Sequence, residues 1–214
     1  MLRIECQGRA ISAEALLFDL DGTLVDSSRA VLAAWRGAAE ALGLPFAVFR
    51  PYVHGIPADE VLAHVVPELD PAERRRIAES VLVRQASSEE PVRAVPGAVA
   101  LLDGLPDRTW AVVTSGDRRL AAAGLRKAGL PAPPVMVTAD DVTAGKPDPQ
   151  PYVLAAERLG VDRRRCVAVE DSPAGVRSAL GAGLDVIAVT TTHGRAELPG
   201  ATCYLPDLTG VVAL

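Results

Sequence analysis

Two aspartates near the start of the chain have a spacing that favours chemistry on a charged ligand. Asp19 and Asp21 directly follow the apolar run Ala15–Phe18 and precede Gly22. The run predicts a short buried strand, and acids at i and i+2 leave the end of an extended strand on the same side. Like charges this close repel, so the pair needs a bound cation or one protonated acid. The spacing therefore indicates a metal-bound carboxylate nucleophile beside a second carboxyl group that carries a proton.

Hydroxyl groups and backbone N–H groups follow a second apolar run. Thr114, Ser115 and Gly116 come directly after Trp110–Val113 and before a predicted helix. A hydroxyl and exposed N–H groups at a strand end suit a phosphate group. An ordinary helix cap also explains these residues when they are taken alone.

A lysine lies in a restricted loop, Gly145–Pro149, in which two prolines pin the backbone on either side of Asp148. A lone lysine is usually a solvated surface charge. An ammonium group held in place at Lys146, however, can offset the charge of a phosphate and orient a carboxylate nucleophile.

Two further acids, Glu170 and Asp171, follow the buried run Val167–Val169. Unpaired charges at this position are costly, so a hard cation with oxygen ligands is their natural partner. Mg²⁺ prefers one or two carboxylates together with waters and substrate oxygens. The predicted metal ligands are therefore Asp19, Asp171 and Glu170, with the backbone carbonyl of Asp21.

The elements that position these residues alternate between strand and helix. Beyond Pro96 the sequence predicts helices at 96–105, 118–128, 151–159 and 173–182, and strands at 110–113, 135–137, 166–169 and 185–189. Such alternation is typical of an α/β fold with a parallel sheet covered on both faces. Ligands bind beyond the carboxyl ends of the strands in these sheets, which is where each group of polar residues falls.

The segment 27–93 differs, because it predicts helices at 28–42, 58–66 and 71–87 and no convincing strand. Ser27 is the expected N-cap of the first helix. We interpret 27–93 as an all-helical cap domain inserted into a core formed by 1–26 and 94–214. Residues 2–14 predict a short edge strand or a hairpin.

Composition limits the classes of partner. The net charge of −5 offers no basic field for nucleic acid or anionic lipid, and no apolar stretch reaches transmembrane length. The three cysteines are far apart, which favours free thiols in a reducing compartment and no disulfide or zinc site. We expect a cytoplasmic protein, a monomer or weak homodimer, without nucleic-acid or membrane partners.

Together, the four groups of residues resemble the motifs of the haloacid-dehalogenase-like hydrolase superfamily, in the same order along the chain. The resemblance implies a Rossmann-like, doubly wound core, Mg²⁺, and phosphoryl transfer through an aspartyl-phosphate. It implies that Asp19 is the nucleophile, that Asp21 acts as general acid and base, and that Lys146 is catalytic. The implied phosphate-binding residues are Leu20, Thr114, Ser115, Gly116 and Lys146.

A helical cap between the first and second motifs resembles the branch with sugar phosphatases, phosphoglycolate phosphatase, phosphonatase and beta-phosphoglucomutase. The mutase's arginine and histidine fall on Ala58 and Val31, and 27–93 contains no lysine for the Schiff base of phosphonatase. The second acid, Asp21, disfavours a dehalogenase. We therefore expect a phosphatase acting on a small sugar or polyol phosphate, with a phosphoglycolate-type phosphatase and a mutase-like enzyme as alternatives.

The cap is expected to set specificity through residues near His54 and Asp59. His54 is the candidate contact to the hydroxyl groups of the substrate, although a cap-surface histidine is an equal interpretation. A rival from another class is a phosphoacceptor receiver domain, which also has an aspartate, a hydroxyl residue, a lysine and an acidic pair. The receiver pattern lacks the second acid at Asp21 and the helical insertion.

Overall fold

The computed structural model describes residues 1–213 and is built on a central parallel sheet of six strands. In spatial order across the sheet, the strands are β10 (Cys203–Leu205), β9 (Asp185–Val189), β8 (Cys166–Glu170), β3 (Ala15–Phe18), β6 (Trp110–Val113) and β7 (Val135–Val137). Each neighbouring pair is parallel. Residue 214, the last of the predicted core range 94–214, lies outside the described residues.

Helices cover both faces of this sheet. The helices are α4 (Ala98–Asp103), α5 (Arg118–Ala128), α6 (Gln150–Leu159) and α7 (Pro173–Gly181). On one face α4 and α5 contribute to an apolar core, and on the other face α6 and α7 contribute to a second. Every residue of β3, β6 and β8 is buried, as expected of strands with a core on each side. The predicted α/β fold with a Rossmann-like, doubly wound parallel sheet is confirmed.

Strand β3 lies at the centre of the sheet and brings the polar residues to one edge. Phe18, the last residue of β3, pairs with Val112 of β6 and with Val169 of β8. The residues that follow these three strands therefore leave the sheet side by side. This register gathers Asp19, Thr114 and Asp171, which are far apart in the sequence, at the carboxyl edge.

A helical insertion connects β4 (Val25–Asp26) to β5 (Arg93–Ala94) and contains α1 (Ser28–Ala41), α2 (Ala58–Val65) and α3 (Pro71–Ser87). It has an apolar cluster of its own, in which the rings of Trp35 and Phe49 stack with centroids 5.5 Å apart. Within residues 1–213, no helix combines the length and apolar character needed to cross a membrane. The inserted, all-helical character predicted for this segment is confirmed.

The two crossings between the sheet and the insertion lie next to each other, because β4 and β5 pair antiparallel, Val25 with Ala94 and Asp26 with Arg93. The predicted cap boundaries, 27 and 93, fall at this two-stranded ribbon. The division of the chain into core 1–26 and 94–214 and cap 27–93 stays a prediction.

The N-terminal segment forms the predicted hairpin, with strands β1 (Leu2–Cys6) and β2 (Arg9–Ala13). A strand near the other end of the chain, β11 (Val212–Ala213), pairs with β1 to give a three-stranded antiparallel sheet. The sequence did not predict β10 or β11. Their two or three residues are too short for an apolar pattern to be recognised.

The expectation of free thiols was wrong for two of the three cysteines. Cys6 and Cys203 are joined by a disulfide bond, with their Cα atoms 6.6 Å apart, and the bond links the end of β1 to the start of β10. The pairing spans 197 positions and depends on how the hairpin docks against the sheet edge, so spacing alone did not indicate it. Cys166 is free and buried, as predicted. The argument for a reducing compartment therefore no longer holds, and a cytoplasmic location stays a prediction.

Candidate active site

A buried ammonium group forms the centre of the site. Nζ of Lys146 donates to Oδ1 of Asp19 and to Oε1 of Glu170, both at 2.6 Å, and to the carbonyl oxygen of Val113 at 2.8 Å. Lys146 is 2 % exposed and Glu170 is fully buried. Removing such charges from water is costly unless they are paired and hydrogen-bonded, so these residues hold each other in fixed positions.

The loop that carries Lys146 is fixed by hydrogen bonds on both sides. The side-chain carbonyl of Gln150 accepts from the backbone N–H groups of Thr143 and Ala144, at 3.0 and 2.8 Å. The Asp148 carboxylate accepts from the N–H of Gln150 at 2.8 Å. The backbone carbonyl of Asp148 accepts from the Ser178 hydroxyl. These contacts agree with the restricted backbone that the prolines indicated.

Both carboxylate oxygens of Glu170 are occupied by protein donors. Oε1 accepts from the hydroxyl of Tyr152 at 2.8 Å in addition to Lys146. Oε2 accepts from the N–H groups of Asp171 and Ser172 and from the Ser172 hydroxyl, at 3.1, 3.2 and 3.1 Å. A Cβ atom on Gly175 would lie 1.7 Å from Oε1, so only glycine fits there. Tyr152 could not be predicted as a site residue, because its position on the apolar face of α6 is that of a core residue.

Asp171 is held by hydroxyl groups from two other segments. Thr23 donates to Oδ1 at 3.3 Å, and Thr192 donates to Oδ2. A Cβ atom on Gly22 would lie 2.1 Å from Oδ2, so the turn after Asp21 needs glycine to approach this carboxylate. Thr192 was not predicted, although the threonine run that begins at Thr190, directly after β9, marks another strand end at the same edge.

Asp19, Glu170 and Asp171 form a cluster that could hold a metal ion, because one oxygen from each lies within 4.8 Å of the others. Burial raises the pKa of Asp19 to about 7, against the opposing effect of Lys146. Burial, with the charges of Asp19 and Glu170, also raises the pKa of Asp171 well above its ordinary value. One ammonium group does not balance three buried carboxylates. The donor set therefore fits a hard cation with oxygen ligands.

Asp21 lies beside this cluster but its carboxyl group is held separately. The hydroxyl of Ser27 donates to Oδ1 of Asp21. Burial raises the pKa of Asp21, while the Ser27 hydrogen bond and the charge of Lys146 lower it. Ser27 occupies the N-cap position of α1, as predicted, but its side chain makes no cap hydrogen bond. Its hydroxyl group is instead turned towards Asp21, so its oxygen does not accept from the N–H groups of the first turn.

The loop after β6 places donors opposite the two aspartates. The hydroxyl oxygen of Thr114 accepts from the N–H of Gly116 at 3.0 Å. The buried hydroxyl of Ser115 has no hydrogen-bond partner among the described residues. A buried polar group of this kind normally has a partner, and a phosphoryl oxygen can supply one. Leu20 is buried, and its carbonyl oxygen accepts from the N–H groups of Leu24 and Val25, both at 2.9 Å, which shapes the turn after β3.

A cavity separates these core residues from the helical insertion. The core side is lined by Asp19, Asp21, Thr114, Ser115, Gly116 and Leu120. The insertion contributes Val31, Trp35, Val53, His54, Gly55, Ile56, Pro57, Ala58, Val81, Leu82 and Gln85. Burial and the nearby His193 lower the pKa of His54, which keeps its imidazole neutral at pH 7. His54 thus faces the same cavity as the predicted nucleophile.

Two contacts close the insertion onto the core. Gly55 approaches Ser172 so closely that a Cβ atom would lie 2.4 Å from the Ser172 Cβ. Nζ of Lys127, on α5, donates to the carbonyl oxygens of Ala86 and Ser88, at the end of α3, at 3.0 and 2.9 Å. Asp59, expected near the substrate, instead pairs with Arg74 at 3.0 Å within the insertion and does not line the cavity.

The fold and site together define a class: an α/β protein with acids, a lysine and hydroxyl groups at the carboxyl ends of parallel strands, beneath a helical insertion. The family model of the haloacid dehalogenase-like hydrolases matches residues 13–183. The chain belongs to this family, and the resemblance inferred from its motifs is confirmed.

Similar proteins cover nearly the whole chain. Hexitol phosphatase A of Escherichia coli is 45 % identical over 203 residues, 91 % of this chain and 91 % of that protein. Validoxylamine A 7'-phosphate phosphatase of Streptomyces hygroscopicus is 37 % identical, over 91 % of this chain and 94 % of that protein. The crystal structure of a hydrolase from Pseudomonas syringae superposes with a TM-score of 0.83 at 27 % identity, over 92 % of this chain and 94 % of that one.

Replacing Lys146 should destabilise the protein strongly. In metal-free buffer at pH 8, Lys146→Met should lower the free energy of unfolding by about 3–5 kcal/mol, because two buried carboxylates lose their partner. The loss should be smaller at pH 5, which is below the raised pKa of Asp19, because that carboxyl group then takes up a proton. Urea unfolding measures both values. Lys127→Met, at the other lysine of the chain, is the control and should cost at most about 1 kcal/mol because Lys127 is exposed. Equal losses for the two variants would contradict the role given to the Lys146 ion pairs.

Proposed function

We propose that this chain is a phosphatase that hydrolyses a small sugar or polyol phosphate in the presence of Mg²⁺, with Asp19 as the nucleophile. The observation that carries the proposal is the position of Asp19. One oxygen of its carboxylate is bound to Lys146, and the residue lines a cavity shared with Asp21, Thr114 and Ser115. One similar phosphatase is named for a hexitol and the other for validoxylamine A 7'-phosphate. Both names support a sugar or polyol phosphate as the substrate class.

In the first step, an oxygen of Asp19 attacks phosphorus and the bond from phosphorus to the substrate oxygen breaks. Lys146 orients Asp19 and offsets negative charge near the transferred group. The hydroxyls of Thr114 and Ser115, with the backbone N–H groups of Leu20 and Ser115, bind the phosphoryl oxygens, while the N–H of Gly116 holds the Thr114 hydroxyl in place. Asp21 gives its proton to the leaving oxygen. Its raised pKa suits this role, because a general acid must hold a proton near neutral pH.

In the second step, the aspartyl-phosphate is hydrolysed. Asp21, now ionised, takes a proton from a water molecule as the water oxygen attacks phosphorus. The bond between phosphorus and the Asp19 carboxylate breaks, so Asp19 is regenerated as a carboxylate and Asp21 as an acid. General acid–base catalysis of this kind typically contributes ~10²–10⁴ in rate.

We propose that Asp19, Asp171 and the backbone carbonyl of Asp21 hold the metal ion. When bound, Mg²⁺ supplies positive charge that stabilises the phosphoryl group during transfer. The sequence also predicts Glu170 as a ligand, and one of its oxygens lies within the cluster. Each Glu170 oxygen already accepts two or three hydrogen bonds from the protein, whereas each Asp171 oxygen accepts one. We therefore propose that Glu170 chiefly fixes Lys146 and the backbone at Asp171.

The helical insertion acts as a lid in this proposal. The cavity has a volume of about 70 Å³, whereas pockets for small molecules typically have ~300–1,000 Å³. A sugar phosphate thus requires the insertion to move away from the core and then to close, which excludes water from the first step. The closed position is supported by the contact of Gly55 with Ser172.

The alternative functions, a mutase, a phosphoglycolate phosphatase and a phosphoacceptor receiver domain, receive less support from the site. The positions matched to the mutase's histidine and arginine, Val31 and Ala58, line the cavity and are apolar. They offer no charge for the distal phosphate of a sugar bisphosphate. A phosphoglycolate would place a carboxylate against the largely apolar wall of the insertion. The receiver alternative does not agree with the family match.

Replacing Asp19 tests the proposed function. The wild type should release phosphate from an aryl phosphate and, with higher kcat/KM, from hexitol phosphates, and EDTA should stop the release until Mg²⁺ is restored. Asp19→Asn should lower kcat by more than about 10³-fold, because the amide is a poor nucleophile. Asp107→Asn, an exposed acid away from the site, is the matched control and should keep full activity. Substantial turnover by Asp19→Asn, or activity that survives metal removal, would refute the mechanism.

The hydrogen bond from Ser27 gives a pH prediction. This bond stabilises the ionised form of Asp21 and so lowers its pKa. Ser27→Ala should raise the pKa of Asp21, and Asp21 should stay protonated to a higher pH. The alkaline limb of the kcat/KM profile for a polyol phosphate should therefore move to higher pH. Ser28→Ala, at the next residue, should leave the limb in place. A shift to lower pH, or the same shift in both variants, would contradict the assignment of Asp21 as the acid.

A further inference from the structure

The wall that the helical insertion presents to the cavity is almost entirely apolar. Within the described lining, the insertion contributes three side chains with polar atoms: the indole N–H of Trp35, the imidazole of His54 and the amide of Gln85. A sugar or polyol phosphate carries hydroxyl groups along its carbon chain. Moving a hydroxyl from water to an apolar surface without a hydrogen bond costs free energy. Recognition of these hydroxyls therefore falls on the few polar side chains of the wall.

The side-chain amide of Gln85 faces the cavity near Asp21. It lies on α3 and lines the main cavity, and it also lines a smaller adjoining cleft beside Asp21 and Ser27. Within residues 1–213 the Gln85 side chain makes no hydrogen bond that meets ordinary geometry, whereas Gln150 and Gln7 each have protein partners. The Gln85 amide is thus available to a ligand, on the side of the cavity where Asp21 lies.

The closed insertion fixes the backbone next to Gln85. Lys127 binds the carbonyl oxygens of Ala86 and Ser88, one and three residues beyond Gln85. Lys127 belongs to α5 of the core, so this contact positions the end of α3 relative to the strand ends. Closure therefore brings the Gln85 amide to a defined place in the cleft that it shares with Asp21, the proposed acid for the leaving oxygen.

We propose that Gln85 is a specificity-determining residue that hydrogen-bonds a substrate hydroxyl near the phosphorylated carbon; this inference rests on the proposed sugar or polyol phosphatase function. An amide suits the role because its NH₂ group donates and its carbonyl oxygen accepts, so it can bind a hydroxyl in either sense. It also carries no charge that would repel the phosphate. His54 is left to bind hydroxyls at a separate part of the wall.

The test compares two substrates in Gln85→Leu, which keeps the size of the side chain but removes the amide. For the best hexitol phosphate, kcat/KM should fall about tenfold, because a hydroxyl loses its partner against an apolar wall. For an aryl phosphate, whose leaving group has no such hydroxyl, kcat/KM should change by less than about twofold. Retained aryl phosphatase activity also shows that the variant is folded and that its core residues are intact.

Leu82→Met is the matched control, since Leu82 lies on α3 and lines the same cavity without polar groups. It should affect the two substrates equally. Equal losses on both substrates in Gln85→Leu, or no loss on either, would overturn the role of Gln85 while the wild-type activity still supports the phosphatase. Absence of phosphate release from every ester by the wild type would instead refute the proposed function itself.

Discussion

The structure depends on one interaction, the buried ammonium group of Lys146 between the carboxylates of Asp19 and Glu170. A charge so completely removed from water persists only where its partners are fixed, and each partner here is fixed by others. Glu170 is held by Tyr152 and Ser172, and Asp19 follows the central strand of the sheet. The ion pairs therefore connect the lysine loop, two strand ends and a helix into a single rigid unit, which is what a nucleophile with one productive orientation requires.

The carboxylates outnumber the ammonium group, and this imbalance gives the site its chemical character. Burial and the charges of neighbouring carboxylates raise the pKa values of Asp19 and Asp171, so without a further cation these groups tend to hold protons. Close packing at Gly22 and Gly175 leaves the acids no freedom to move apart. Repulsion among these carboxylates at the edge of the sheet lowers the stability of the fold, and such unfavourable clusters of charge are typical of functional sites. The helical insertion lines the cavity from the opposite side, where we propose that it recognises the substrate.

The main features of the fold and the core of the site could be predicted from sequence, for a physical reason. Apolar runs define buried strands, and parallel strands bring the residues that follow them to one edge of the sheet. The sequence alone therefore predicts that Asp19, Thr114 and Asp171 lie together. Contacts that depend on side-chain direction could not be predicted. Ser27 looked like a helix cap but binds Asp21, and Tyr152 looked like a core residue but binds Glu170. The disulfide of Cys6 arises from docking between distant segments, which local patterns do not encode.

The central claim is that the buried carboxylates need a divalent cation beyond the charge of Lys146. Isothermal titration of the metal-free protein with Mg²⁺, in buffers of different ionisation enthalpy, tests it most directly. Because the pKa of Asp19 is about 7 and that of Asp171 is also raised, binding should release protons, more of them at pH 6 than at pH 8. The account predicts one Mg²⁺ per chain with this proton release, both lost in Asp171→Asn. The claim would be contradicted if Mg²⁺ did not bind. It would also be contradicted if Mg²⁺ bound without releasing protons and bound equally well to Asp171→Asn.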